Sequence, residues 1–258
     1  MKKLHFQYSM ELSFSQQVTD HSFALRCVPQ SSLCQTIGAL TCSFNPMASI
    51  ALSKDAFNNV VYTGYIPDPH NFFSFRIEGL AVTNSEQFLQ EPLNLLYKYP
   101  SALAFLANAP ETYFSDFKTP SGDNLQKAMY LMELLNKHFT YKTSSTNNTT
   151  TAETALQQGC GVCQDYAHIL IALCRQQNIP ARYVAGFMIG EGVTHAWVDI
   201  YATGKWLGID PTHNRIVDEN YIKLSAGRDF GDCIIDRGIF RGGADQEQKV
   251  IVKVTEVE

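Results

Sequence analysis

The sequence is short of charge, and what charge it has is not concentrated anywhere. Only 17% of its 258 residues are Asp, Glu, Lys or Arg, the formal net charge is -5, and the pI is near 5.8. No Lys/Arg cluster exists to neutralise a phosphate backbone, which excludes a nucleic-acid partner. No apolar run approaches the roughly 18 residues that would read as a membrane span, so no membrane partner is expected. Lys2 and Lys3 are followed by Leu4, His5, Phe6, Gln7 and Tyr8, not by the apolar core of a signal peptide, and we expect a cytoplasmic protein. There is no acidic loop of the EF-hand type, hence no expected calcium dependence, and no internal repeat. The seven cysteines, at 27, 34, 42, 160, 163, 174 and 233, are odd in number and irregular in spacing. That does not make a disulfide framework, and most of them read as small buried residues.

What is present, 45% hydrophobic residues in a chain of this length, suffices for a globular core. Residues 1 to about 85 read as a small antiparallel β-domain. Runs such as Leu4 to Tyr8, Ser22 to Val28, Val60 to Tyr65 and Phe72 to Ile77 are separated by turn residues at Pro29 to Ser32, Asn45-Pro46, Asn58-Asn59 and Pro67 to Pro69. A helical connector over 86–122 is expected, its helix running from about Glu91 to Leu106 with Pro100 ending or kinking it, followed by a loop from Asn108 to Gly122.

The third segment, 123–258, opens on an amphipathic helix with Leu125, Met129, Met132, Leu135 and Phe139 on one face. The Ser/Thr/Asn tract from Thr143 to Thr151 reads as a surface loop, with Thr151 capping a short helix over Ala152 to Gln157. A second long helix begins after Gly161, buries Ala167, Leu170, Ile171 and Cys174, and ends at Asn178-Ile179-Pro180. Strand patterns follow over Arg182 to Ile189, Thr194 to Tyr201 and Lys205 to Ile209, and a last one over Lys249 to Val257.

Chemistry concentrates at the start of that second helix. Cys163 sits where unpaired N–H groups and the positive end of the helix dipole favour an anion. A nucleophilic thiol needs a base and a group that orients the base, and His195 and Asp210 are candidates for both. If Thr203-Gly204 is a two-residue hairpin loop, Ala202 faces Lys205, His195 faces Thr212, and Asp210 is the diagonal neighbour of His195 on one face. A four-residue loop keeps that register, whereas a three-residue loop sends Asp210 to the other face.

The segments Gly161-Val162-Cys163-Gln164-Asp165-Tyr166-Ala167-His168, Asn178 to Val184, His195-Ala196-Trp197 and Gly208-Ile209-Asp210-Pro211-Thr212 resemble the core of the bacterial transglutaminase-like family, within the papain-like cysteine-enzyme superfamily. Gly227 to Phe230 and Gly238 to Gly243 resemble that family's tail, and Asp55 to Asn59 its N-terminal domain. The resemblance implies an α+β fold in which a Cys-bearing helix packs on an antiparallel sheet behind the β-domain. It implies Cys163 as nucleophile, His195 as general base and then acid, and Asp210 as orienting carboxylate. The implied reaction is thiol-dependent amide cleavage or acyl transfer through a thioester, with hydrolysis of a peptide or protein substrate preferred to amine crosslinking. No cofactor and no metal is expected.

Around the triad, the Cys163 N–H is a candidate oxyanion donor, and Gln164, Trp197 and His213 are candidates for oxyanion or substrate contacts. Cys160 forms a Cys-x-x-Cys with Cys163. That spacing admits a redox dithiol, or a thiol guarding Cys163 by reversible oxidation. Zinc held among Cys160, Cys163, His168, His195 and His213 is disfavoured by the spacing. A peptide-binding scaffold without activity is a further alternative. His168 reads as a helix residue against a neighbouring strand, and Arg228-Asp229 as a structural ion pair.

Overall fold

The alternation of apolar residues from Leu4 to Phe14 breaks at Ser15-Gln16-Gln17 and resumes at Val18, and the backbone bends there without turning back. In the computed structural model, which describes residues 1–85, 91–107 and 121–258, the two strands expected over Leu4 to Tyr8 and Ser22 to Val28 are therefore one, β1 (Lys2–Leu25). Its register against β5 (His70–Thr83) shifts between Ser13 and Val18, the signature of a bulge, because the three exposed polar residues have no apolar face to keep on the core. Before the bend β1 pairs with β5; beyond it, β1 pairs with β4 (Val60–Ile66). Flanking strands β2 (Gln35–Asn45) and β3 (Ser49–Lys54) join β5 and β4 respectively.

The helix expected over Glu91 to Leu106 does not form. The described connector holds only a 3-10 turn, Leu95–Lys98, because the core claims the backbone groups a helix would use. Arg175 donates to the Tyr97 carbonyl at 3.2 Å, Gln176 to that of Leu106 at 3.1 Å, and the Leu103 N–H bonds Asp229 at 3.1 Å. Of the loop expected from Asn108 to Gly122, all but the last two residues lie outside the described residues.

Helix α1 (Asn124–His138) is started by a capping box: Asp123 accepts from the Gln126 N–H at 2.9 Å and Gln126 accepts from the Asp123 N–H at 3.1 Å. After β6 (Thr140–Tyr141), Thr151 caps α2 (Ala152–Gln158), which ends on Gly159 at φ 70°. Strand β7 (Cys160–Gly161) leads directly into α3 (Cys163–Gln176). Buried on nearly every side, its polar Gln164, Asp165, His168 and Arg175 included, α3 is the central helix of the molecule.

The remaining strands are β8 (Ala181–Met188), β9 (Gly190–Gly192), β10 (His195–Ala202), β11 (Lys205–Asp210), β12 (Arg215–Ile216), β13 (Tyr221–Gly227), β14 (Asp236–Arg241) and β15 (Gln246–Glu256). Five of them make an antiparallel sheet, ordered β12-β11-β10-β8-β13, against which α3 packs. The last two return to the N-terminal sheet. There β15 lies between β1 and β9, and β14 pairs with the far half of β1, so that sheet has eight strands, seven from the two ends of the chain and β9 from the core segment. Phe6 and Tyr8 of β1 place their rings 6.1 and 5.6 Å from Phe187 of β8, which joins both sheets in one core.

The outer edge of β13 is covered by two carboxamides from the N-terminal region. Gln35 exchanges hydrogen bonds with the Lys223 backbone, both at 2.8 Å, and Asn59 does so with Ala226 at 2.9 and 2.8 Å. Each side chain imitates a residue of a neighbouring strand and satisfies an edge that would otherwise be open. The ion pair expected between Arg228 and Asp229 is absent: Arg228 pairs with Asp232 at 2.8 Å, and Asp229 serves the connector and a 3-10 turn instead. No helix among the described residues is long and apolar enough to cross a membrane.

Candidate active site

Cys163 is the first residue of α3, preceded by Val162 in extended conformation. The turn is held by Asp165, one turn into the helix, whose Oδ2 accepts from the Val162 N–H at 2.7 Å and from the Thr146 hydroxyl at 2.6 Å. The Ser/Thr/Asn tract thus supplies a brace for the nucleophile as well as a surface loop. A Cβ on Gly161 would lie 2.5 Å from the same oxygen, so only glycine lets the carboxylate close over the turn. Cys163 is half-buried and opens onto a cleft of about 450 Å³ lined also by Tyr141, Glu191, His195 and His213.

The expected hairpin register is the one observed. Ala202 pairs with Lys205 across a Thr203-Gly204 loop, and both loop residues take positive φ, 50° and 81°, as the tightest hairpin turns require. His195 at the start of β10 and Asp210 at the end of β11 then meet, with His195 Nε2 at 2.8 Å from Asp210 Oδ2. Nδ1 is left on the side of the cleft that Cys163 also lines, and the neighbouring thiol favours the charged ring.

Asp210 is completely buried and saturated with donors. Its Oδ2 accepts from His195, from His213 Nδ1 and from the Tyr221 hydroxyl, each at 2.8 Å. Its Oδ1 accepts from the N–H groups of Thr212 at 2.9 Å and His213 at 3.3 Å. Burial pushes this carboxyl up, but the bonds from His195, His213 and Tyr221 outweigh it and hold the group at about 2. For His195 burial favours the neutral ring, while the bonds to Asp210 and Cys163 favour the charged one and carry it to about 9. Tyr221 is raised by its burial and by the anion beside it. A carboxylate fixed as an anion, an imidazole fixed by it, and a thiol at a helix N-terminus are the groups that an activated thiol requires.

The other candidates separate. His213 lines the cleft, its ring 5.2 Å from that of His195. Trp197 does not: it is buried behind the triad, 6.4 Å from the His195 ring and 5.4 Å from Tyr221, and packs under Gly186, where an added Cβ would meet its ring at 2.3 Å. Gln164 is buried at the helix start and is absent from the cleft lining. Cys160 lies on β7 and Cys163 opens α3, and both are free thiols.

Of the residues weighed for zinc, His168 is remote from the rest. It is fully buried, accepts from the Phe230 N–H at 3.1 Å and packs 5.3 Å from the Tyr183 ring of β8. His195, Asp210 and His213 do have ligand atoms within 4.8 Å of one another. A cation there would have to displace the hydrogen bonds just described.

Two site residues carry no local signal in the sequence. Tyr221 reaches Asp210 only because β13 pairs with β8 across the sheet. Tyr141 reaches the cleft only because β6 lies parallel to β7, with Tyr141 opposite Gly161.

Residues 4–82 match the bacterial transglutaminase-like N-terminal region and residues 112–211 the transglutaminase-like superfamily core. An uncharacterised protein of Mycobacterium tuberculosis is 27% identical over 265 residues, covering 89% of this chain and 84% of its own length. One from Mycobacterium leprae is 38% identical over 111 residues, 39% of each chain. Among solved structures, a candidate cysteine protease from Cytophaga hutchinsonii superposes with a TM-score of 0.82 at 20% identity, covering 100% of this chain and 92% of its own.

Proposed function

Because this chain belongs to the bacterial transglutaminase-like family, we propose that it is a thiol-dependent amide hydrolase acting on peptide or protein carboxamides through a Cys163 acyl-enzyme. One observation carries the reading: the unbroken chain Asp210 to His195 to Cys163, with the carboxylate buried and ionised and the imidazole poised to hold a proton.

Asp210 accepts from Nε2 and so turns Nδ1 toward Cys163, where the ring holds the proton taken from the thiol as an imidazolium beside the thiolate. The resulting Sγ anion at the N-terminus of α3 attacks the carbonyl carbon, and the carbonyl electron pair moves onto oxygen, where the Cys163 N–H donates to it. As the tetrahedral centre collapses, His195 returns the proton to the departing nitrogen and ammonia or an amine leaves. Water then enters, gives its proton to His195 and adds to the thioester carbon; breaking the carbon–sulfur bond restores the thiol. Water reaches the thioester because the cleft that holds Cys163 is open to solvent, and hydrolysis is the reading tested first. His213, half-exposed there and held by the same carboxylate, is placed to contact the substrate.

The test is to incubate the protein with a glutamine-containing peptide pool, quench in acid and read the mass of the Cys163 peptide. A thioester adduct that decays to free acid, with little diversion to an added fluorescent primary amine, is the expected result. Adducts resolved mainly by the amine would replace hydrolysis with crosslinking, and no adduct in any pool would favour the inactive scaffold.

A further inference from the structure

The tetrahedral oxyanion requires two donors, and the helix start supplies one. We infer that the hydroxyl of Tyr141 is the second, an assignment that rests on the acyl-enzyme reading above. Strand β6 runs parallel to β7, with the Thr140 N–H bonding the Gly159 carbonyl at 3.0 Å and the Lys142 N–H that of Gly161 at 2.9 Å. That register fixes Tyr141 opposite Gly161, two residues before Cys163, and its side chain forms the wall of the same cleft.

Three features make the phenol a donor and not simply a wall. It is about half exposed and lines the cleft that Cys163 and His195 also line, so a carbonyl bound there comes within its reach. The neighbouring Tyr166 spends its own hydroxyl on the Phe139 carbonyl at 2.6 Å, while among the described residues none bonds that of Tyr141. Burial first, and the charge of Cys163 second, push the phenol up, in keeping with the cleft the two residues share. None of the residues expected from sequence supplies this donor: Gln164 and Trp197 are outside the cleft, and His213 is turned to Asp210 through Nδ1.

During acylation the Sγ lone pair forms the bond to carbon, the carbonyl π pair becomes the oxyanion, and Tyr141 donates a hydrogen bond without giving up its proton. Loss of one such donor costs about 10²–10³-fold in the chemical step. Alkylation of the same sulfur by iodoacetamide passes through no oxyanion and is indifferent to the donor. The experiment compares the unmodified protein with Tyr141→Phe, measuring the p-nitrophenolate burst from p-nitrophenyl acetate and the rate of iodoacetamide labelling at Cys163.

The expected result is a burst rate about 10²-fold slower with alkylation changed less than twofold. Equal burst rates would overturn the assignment. Parallel loss of both would do so too, showing that Tyr141 supports the thiol and not the oxyanion. Absence of a burst in the unmodified protein, with Cys163 still alkylated quickly, would instead overturn the acyl-transfer reading beneath it.

Discussion

Two buried histidine clusters in this molecule face opposite ways. In the N-terminal sheet, His21 and His70 stack with their nitrogens 3.1 Å apart, walled by Phe14, Phe23, Phe73 and Phe240. Burial, with a smaller contribution from its histidine partner, pushes His21 down to about 4, which keeps the ring neutral. In the core, His195 is also removed from water, yet is carried up to about 9. The difference lies in the neighbours. His21 has only rings and another imidazole around it, whereas His195 has Asp210 at 2.8 Å and Cys163 beside it to favour the charged form. Burial alone keeps a histidine neutral; burial beside a fixed anion lets it hold a proton.

The largest expected effect removes the nucleophile. Cys163→Ala should lower amide hydrolysis by about 10⁴-fold or more while leaving the urea midpoint nearly unchanged, checked by turnover and denaturation on the same preparation.

Next is Asp210→Asn, which would make the core cluster resemble the N-terminal one. Turnover should fall by about 10²–10⁴-fold. His195 must be protonated to release the leaving nitrogen, so in the unmodified protein amide turnover should decline as pH rises through about 9. In the variant that alkaline limb should move to lower pH, and a limb that stays in place would show that Asp210 does not set the charge of His195.

The hairpin that brings these residues together was legible in the sequence, because a Thr-Gly pair between two apolar runs admits few loops and the register follows from the loop. The start of α3 was legible for the same kind of local reason. Tyr221 and Tyr141 were not, since each arrives through a strand pairing distant in sequence. Nor was the fusion of two expected strands into β1, because a bulge and a turn both begin with a loss of apolar alternation. The failed helix at Glu91 to Leu106 shows propensity losing to tertiary contacts: Arg175, Gln176 and Asp229 take the backbone groups it needed.

A smaller effect belongs to Tyr221→Phe, which removes one of three donors to Asp210 Oδ2. A hydrogen bond to a charged group contributes about 1.5–3 kcal/mol, and the remaining donors should compensate in part, so a loss of about 10-fold in turnover is expected. A steady-state comparison at constant pH reads it.

The smallest effect on activity comes from the other cluster. His21→Leu should leave turnover unchanged but alter the response of stability to acid. The folded His21 titrates near 4 and the unfolded one near 6.5, so the unfolded chain binds more protons between those values. Its contribution is therefore neutral above about pH 6.5, and stability is lost as pH falls toward 4. Urea unfolding at pH 7 and pH 5 should show a shallower loss in the variant, and equal slopes would mean His21 is protonated in the folded protein.

The central claim is that Cys163 and His195 act as one unit, and iodoacetamide labelling across pH tests it most directly. The unmodified protein should label at Cys163, identified by peptide mass, faster than the other thiols, and His195→Ala should slow that reaction by about 10²-fold. A labelling rate that climbs only as an ordinary thiol ionises near pH 8.5, the same with and without His195, would contradict the account.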